Sequence, residues 1–234
     1  MSSFSIQILN GISEISEKSW DMQLPPCKNP FLSWRFLHAC EESGSSSPNT
    51  GWTPKHLILR DNNKNHIGSL PLYLKSHSQG EYVFDHGWAQ ALERVGENYY
   101  PKLQCSIPFT PVSGPRLLTK SEENKALLSK EVIKLCEKWG LSGIHFTFLK
   151  NEDLNILKKL EFSHREDRQF HFLNRGYNNF DNFLNSLSSR KRKNIKKERQ
   201  IANDGITIKR LSGDDIKKEH WDYFWKCYID TSFR

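Results

Sequence analysis

The order of segments predicts an α/β protein built on a sheet of mixed strand direction, and three observations carry that prediction. Extended and helical patterns follow one another as β, α, α, β, β, β, α, β, α, β. Two β-type runs flank Asp61-Asn-Asn-Lys-Asn65, a string of turn formers, and read as a hairpin. From Glu122 to Trp139 the residues Leu127, Leu128, Val132, Leu135 and Trp139 share one helical face, which needs a sheet to cover.

Each element has a local reason. Phe4 to Leu9 alternates polar and apolar residues, the period of a strand with one face buried. Ile12 to Trp20 has helical spacing, closed by Pro25-Pro26, and Ser33 is placed to cap a second helix running to Glu42. Serine-rich Gly44 to Gly51 reads as a loop. Lys55 to Arg60 and Ile67 to Leu74 form the hairpin, with Pro71 marking an edge, a bulge or a strand start, and Tyr82 to Phe84 adds a short extended piece. Between Tyr99 and Leu118, Pro101, Pro108, Pro111 and Pro115 with Gly114 predict a strand that ends in a shaped loop. Gly140 stops the long amphipathic helix; Ile144 to Leu149 is a strand, Asp153 to Leu160 a helix, and Gln169 to Leu173 a strand.

From Phe180 the pattern changes. Phe180, Phe183, Leu184 and Leu187 form a helical stripe that Ile195 and Ile201 roughly continue, and Asp204-Gly205 ends it. Ile206 to Leu211 reads as a strand, and Asp214 or Asp215 caps a last helix bearing Trp221, Phe224, Trp225, Tyr228 and Ile229. So aromatic a helix needs a cover: the first domain, a partner, or a missing domain of a chain truncated after Arg234. Truncation is the expectation.

Composition narrows the class. With 36% hydrophobic and 12% aromatic residues in 234, the chain can bury a core, although its mean hydropathy is −0.69. Seven lysines and arginines against one glutamate between positions 190 and 199 give that run +6 of the total +7, so the remainder is nearly neutral. Five cysteines (Cys27, Cys40, Cys105, Cys136, Cys227), odd in number and without C-x-x-C, make neither a disulfide framework nor a zinc site. Reduced thiols, no leader pattern and no 18-residue apolar stretch predict a cytoplasmic protein.

No phosphate-binding glycine loop, dinucleotide fingerprint, zincin motif or nucleophile elbow occurs. His77 and His86 flank Asp85, but this spacing matches no metal-ligand pattern, so no metal is assigned; hydrogen-bonding histidines are the plainer reading. Lys75, Lys102 and Arg116 could bind an anion, with Tyr82, Trp88 and Tyr100 as walls of a polar-aromatic pocket. The same residues would also suit an ordinary proline-shaped loop over core aromatics. The run at Arg190, Lys191, Arg192 and Lys193 has three readings: a nuclear signal, a solvated helix face, or a grip on phosphates.

Several stretches together resemble one family. Asn29-Pro-Phe-Leu-Ser-Trp-Arg-Phe-Leu-His-Ala39, Gly68-Ser-Leu-Pro-Leu-Tyr-Leu-Lys-Ser-His-Ser78, Gly80-Glu-Tyr-Val-Phe-Asp85, Tyr100-Pro-Lys-Leu103, Pro108-Phe-Thr-Pro-Val-Ser-Gly-Pro-Arg116 and Leu187-Ser-Ser-Arg-Lys-Arg-Lys-Asn-Ile195 are similar to the FemAB-like N-acyltransferases of peptidoglycan biosynthesis or recognition. The resemblance spans essentially the whole chain. It implies a GNAT-like mixed sheet flanked by helices over residues 1–176, a basic connecting helix over 177–203, and the start of a second GNAT-like unit over 204–234. It further implies acyl transfer to an amine of a peptidoglycan-related precursor, with aminoacyl-tRNA or acyl-CoA as donor and tRNA among the candidate partners. The chain lacks the Gln/Arg-x-x-Gly-x-Gly/Ala loop that holds the CoA pyrophosphate. Among its residues His77, Asp85 and His86 are base candidates by type. The alternative is a non-catalytic module that recognises a cell-wall precursor or a nucleic acid through the basic helix.

Overall fold

Seven strands are present among the described residues: β1 (Ser5–Leu9), β2 (Trp52–Pro54), β3 (His56–Arg60), β4 (His66–Leu70), β5 (Tyr73–Lys75), β6 (Lys102–Cys105) and β7 (Ile144–Phe146). The protein is seen in a computed structural model that describes residues 4–26, 29–83 and 85–233. β1, β3 and β4 form an antiparallel sheet in the order β1-β3-β4. The second sheet has the order β2-β5-β6-β7, antiparallel except for the parallel β6–β7 pair, so the fold is mixed α/β.

One bent hairpin serves both sheets. β2 runs into β3 through Lys55, and β4 into β5 through Pro71 and Leu72. Pro71 has no N–H to give a ladder, and the pairing is interrupted at Pro71–Leu72 on one arm and at Lys55 on the other. Lys55 N–H donates to the Leu72 carbonyl at 2.8 Å, and Leu72 N–H donates to His56 Nδ1 at 3.2 Å. The single strand expected over Ile67 to Leu74 is therefore two, and β2 is an element that periodicity missed.

Among the described residues the helices are α1 (Glu17–Asp21), α2 (Trp34–Glu42), α3 (His86–Arg94), α4 (Glu122–Lys138) and α5 (Asn151–Lys159), with α6 (Phe180–Asn185), α7 (Ser189–Asn203) and α8 (Lys218–Ser232) beyond residue 166. Successive residues of β3 point to opposite sides. Leu57 and Leu59 pack with Leu128, Val132 and Cys136 of α4 and Ile156 of α5. Ile58 packs on the other side with Trp20 of α1, Leu37 of α2, and Leu9, Ile12 and Leu32. Each such side chain contributes roughly 1.5–3 kcal/mol by burial.

Caps explain most boundaries. Ser33 Oγ accepts Phe36 N–H at the start of α2, Ser121 Oγ accepts Asn124 N–H at the start of α4, and Gly140 takes φ +62° beyond its end. The helix expected from Ile12 to Trp20 is instead a 3₁₀ turn, Ile12–Glu14, followed by extended Ile15 and by Ser16, which caps the short α1. Tyr82 and Val83 lie in no strand, and Phe84 is outside the described residues.

Two buried polar knots hold this scaffold. His56, fully buried, accepts Leu72 N–H on Nδ1, so its Nε2 carries the hydrogen and donates to Glu41 Oε1 at 2.9 Å. Glu41 Oε2 in turn accepts Ile12 N–H at 2.8 Å. Asp153 Oδ2 accepts the N–H groups of Arg116 (2.6 Å) and Leu117 (3.1 Å), and its Oδ1 accepts Lys125 Nζ at 2.8 Å.

The chain divides into two compact units, Met1–Glu166 and Asp167–Arg234. In the second, the rings of Phe172, Tyr177, Phe180 and Phe183 pack around the start of α6. The long helix expected from Phe180 to Asp204 breaks at Ser186–Ser188: Ser186 Oγ turns back to the Phe183 carbonyl, and extended Ser188 starts α7. The strands expected at Gln169–Leu173 and Ile206–Leu211 do not form, for a strand exists only through a partner and none pairs with them among the described residues. Nor does Asp214 or Asp215 cap α8. They lie in a 3₁₀ turn, and Lys217 precedes the helix, its N–H donating to His220 Nδ1. Among the described residues no helix is long and apolar enough to cross a membrane. Cys40, Cys105, Cys136 and Cys227 are free thiols, and Cys27 lies outside the described residues.

Candidate functional site

Register on the second sheet brings two lysines together. Trp52 of β2 is opposite Lys75 of β5, and Lys75 is opposite Lys102 of β6, so three side chains form one row across the strands. Both lysines are fully buried. Like charges directly opposite repel, so the pair stands only if other groups treat the two ammonium positions differently.

They do. Lys102 Nζ reaches Asp85 Oδ2 at 2.6 Å, Glu81 Oε2 at 2.8 Å and His145 Nδ1 at 3.4 Å, which uses all three of its hydrogens. Lys75 Nζ donates to the Gln79 carbonyl at 3.2 Å and sits 3.7 Å from the centre of the Trp52 ring. Burial, opposed by Glu81 and assisted by Lys102, holds Lys75 down to about 7. Near neutral pH this amine is therefore available in its unprotonated form.

The carboxylates come from the segment that follows β5. Asp85 occupies the N-cap position of α3, yet it does not cap that helix. Its Oδ2 is turned inward and accepts Lys102, Tyr99 Oη (2.7 Å) and Ser78 Oγ (2.9 Å). Burial pushes this carboxyl up, but the three hydrogen bonds and the Lys102 charge outweigh it and bring it to about 2. Burial pushes Glu81 up against the pull of Lys102. Because Ser78 spends its hydrogen on Asp85, Tyr100 O–H donates to Ser78 Oγ at 2.8 Å.

His145, half-buried on β7, closes the group. Burial, with Lys102 adding to it, drops it to about 4, so it is a neutral ring above that pH. Tyr99 is raised by burial and by Asp85, which keeps its phenol protonated. Two oxygens in this otherwise crowded network have no hydrogen-bond partner among the described residues: Glu81 Oε1 and Asp85 Oδ1. Their side chains are 1% and 2% exposed.

Of the residues proposed from sequence, Lys75, Asp85, Tyr100 and Lys102 meet in this group. Tyr82 and Trp88 are exposed instead, Tyr82 with φ +56°, and His86 is an exposed residue at the start of α3. His77 lies against Gly51, and its Nδ1 accepts Gln79 N–H in a local turn. Arg116 is fully buried and donates to the carbonyls of Val112, Pro115 and Thr147, which fastens the proline loop to its surroundings. Arg190, Lys191 and Lys193 are exposed on α7, while Arg192 donates to Asn185 Oδ1 at 3.0 Å. Sequence reasoning missed Glu81, Tyr99, His145, Ser78 and Trp52. Among the described residues no group of three or more histidine, cysteine or carboxylate side chains is placed to hold a metal ion.

Comparison with known proteins gives a family and a distant likeness to solved structures. The FemAB-like family model, described as peptidoglycan biosynthesis/recognition, matches residues 11–234. No curated protein matches the chain. Among solved structures, the crystal structure of aminoglycoside antibiotic 6'-N-acetyltransferase AAC(6')-Ih from Acinetobacter baumannii is similar at 12% identity and a TM-score of 0.40, covering 73% of this chain and 97% of that one.

Proposed function

The chain belongs to the FemAB-like family, and on that premise we propose that it is an N-acyltransferase that moves an activated acyl group onto an amine of a peptidoglycan-type precursor. The single observation that carries the reading is the buried Lys75–Lys102 row with its two carboxylates and neutral histidine. Acyl transfer to an amine begins with removal of a proton from the acceptor's ammonium group. The freed lone pair then attacks the acyl carbon, an N–C bond forms, the C–O or C–S bond to the donor breaks, and the proton shed by the new amide nitrogen passes to the departing oxygen or sulfur. Lys75 in its unprotonated form is the group that can take the ammonium proton near pH 7; His145, at about 4 and with Nδ1 on Lys102, helps position Lys102. Asp85, at about 2, is too weak a base for the task and instead fixes Lys102. The donor is an activated ester or thioester, aminoacyl-tRNA or acyl-CoA. The exposed cations of α7 suit the phosphates of either one.

The test offers the full chain labelled aminoacyl-tRNA and acetyl-CoA in turn, with a precursor peptide carrying a free lysine amine, and follows the acylated product by mass spectrometry. Product should form with one donor and fall at least 100-fold in Lys75→Met. Absence of product with every donor sinks the enzyme reading.

A second reading, a recognition module, is favoured by one feature. α7 has no buried residue and carries Arg190, Lys191 and Lys193 in the open. Replacing Arg190, Lys191, Arg192 and Lys193 with Gln should flatten the salt dependence of tRNA binding, and an unchanged slope overturns the phosphate grip.

A further inference from the structure

We propose that Glu81 and Asp85 form the seat for a primary ammonium group of the ligand, received between Glu81 Oε1 and Asp85 Oδ1. The inference rests on the acyltransferase reading only in identifying that ammonium as the acceptor end of the substrate.

The hydrogen-bond inventory of the site drives the assignment. Lys102 has no hydrogen left to give, because Asp85, Glu81 and His145 take all three. Asp85 Oδ2 accepts three donors while Oδ1, on the same carboxyl, accepts none among the described residues. Glu81 is divided in the same way, Oε2 on Lys102 and Oε1 bare. A buried carboxylate oxygen without a donor is costly, more so than the neutral Ser46, Tyr73, Gln104 and Ser106 oxygens that also lack partners among the described residues, and here two lie on neighbouring carboxylates. Both lack a donor, which disfavours an anionic occupant and calls for a group with hydrogens to give.

Charge leads to the same class. Two carboxylates face one clamped ammonium, since Lys75 is available unprotonated near neutral pH. The balance of the site is therefore negative whenever Lys75 is unprotonated, and an arriving cation restores it. Aromatic faces already line the cation positions: Lys102 lies 5.3 Å from the Tyr99 ring centre and 5.9 Å from that of Tyr100. An arriving ammonium would also push Lys75 further toward its unprotonated form, because each cation disfavours the other.

The probes are L-lysine amide and its neutral isostere 6-hydroxynorleucine amide, titrated into the full chain and followed by NMR chemical shifts. The amine should bind at least about tenfold tighter than the alcohol, the margin that hydrogen bonds to charged groups supply. Glu81→Gln should reduce that preference to less than about threefold, and Asp85→Asn serves as the second variant should the first fail to fold. Equal binding of the two probes by the wild-type chain, no binding of either, or an undiminished preference in a folded variant overturns the proposal. Water alone filling the two positions belongs to the no-binding outcome. The acyl-transfer assay separates the two readings. Amine preference without product refutes the enzyme and keeps the seat. Product formation with the acceptor KM unchanged in Glu81→Gln refutes the seat and keeps the enzyme.

Discussion

Asp153 and Asp85 are both buried aspartates that hold a buried lysine within 2.8 Å, in the same compact unit. Asp153 has both oxygens filled, one by Lys125 and the other by two backbone N–H groups of the loop at Arg116 and Leu117. Asp85 crowds three donors onto one oxygen and leaves the other empty, and Glu81 beside it also leaves one empty. The first knot joins α4, α5 and a loop, and its partners are mostly main chain. The second joins only side chains and sits next to an amine held near neutrality. Buried charge that is fully satisfied fastens a fold, whereas buried charge left partly open is costly to the fold and available to a ligand.

That contrast can be broken most forcefully at Asp153. Asp153→Ala strips Lys125 of its buried partner and orphans two N–H groups, and should cost about 3 kcal/mol or more in urea unfolding. Asp85→Asn keeps an acceptor facing Lys102, Tyr99 and Ser78 and should cost about 1 kcal/mol. Equal losses for the two would erase the distinction.

Next in size is a pH effect at Lys75. Its folded pKa of about 7 lies below the unfolded 10.5, so between those values the unfolded chain binds a proton that the folded chain has released. Stability attributable to this group therefore rises with pH from about 7 to 10.5, and the burial penalty is fully expressed below 7. Lys75→Met removes the penalty. Its melting temperature relative to wild type should be highest at pH 6, by roughly 4 °C, and should decline as the pH approaches 10. A flat difference across that range would mean Lys75 keeps an ordinary lysine pKa.

Glu81→Gln sharpens the contrast at smaller cost. Because Asp85 still holds Lys102, its unfolding free energy should move by less than about 1 kcal/mol, while the preference for an ammonium probe is lost. The smallest change is expected on α7. Gln at Arg190, Lys191, Arg192 and Lys193 together should shift stability by no more than about 0.5 kcal/mol, since exposed charges contribute little. The same variant reads out in the salt slope of RNA binding.

Legibility followed the range of the forces. α2, α4 and α5 could be read because caps and a 3.6-residue stripe are local, and β1 and β3 because alternation is local too. Boundaries failed where a longer-range contact intervened. Pro71 reads as an edge or a start, but only the His56 ring taking Leu72 N–H shows that it divides two sheets. α3 went unread because Gly87 and the polar residues around it mask its pattern. Of the site, Lys75, Asp85, Tyr100 and Lys102 could be named by residue type from stretches flanking the hairpin. Glu81 was quoted in a motif without a role, and His145 and Tyr99 gave no signal, for each acts only through a neighbour tens of residues away. Arg116 shows the opposite error: an arginine in a proline loop looks like an anion site until its carbonyl partners are seen.

By itself the sequence determined the α/β class, the family, the amphipathic elements and the concentration of charge at 190–199, since periodicity, composition and motif order survive without coordinates. Tertiary structure decided which lysine is clamped and which is left an amine. That outcome depends on strand register, which sets Lys75 opposite Lys102, and on burial, which makes their mutual repulsion and their carboxylate partners strong enough to separate them.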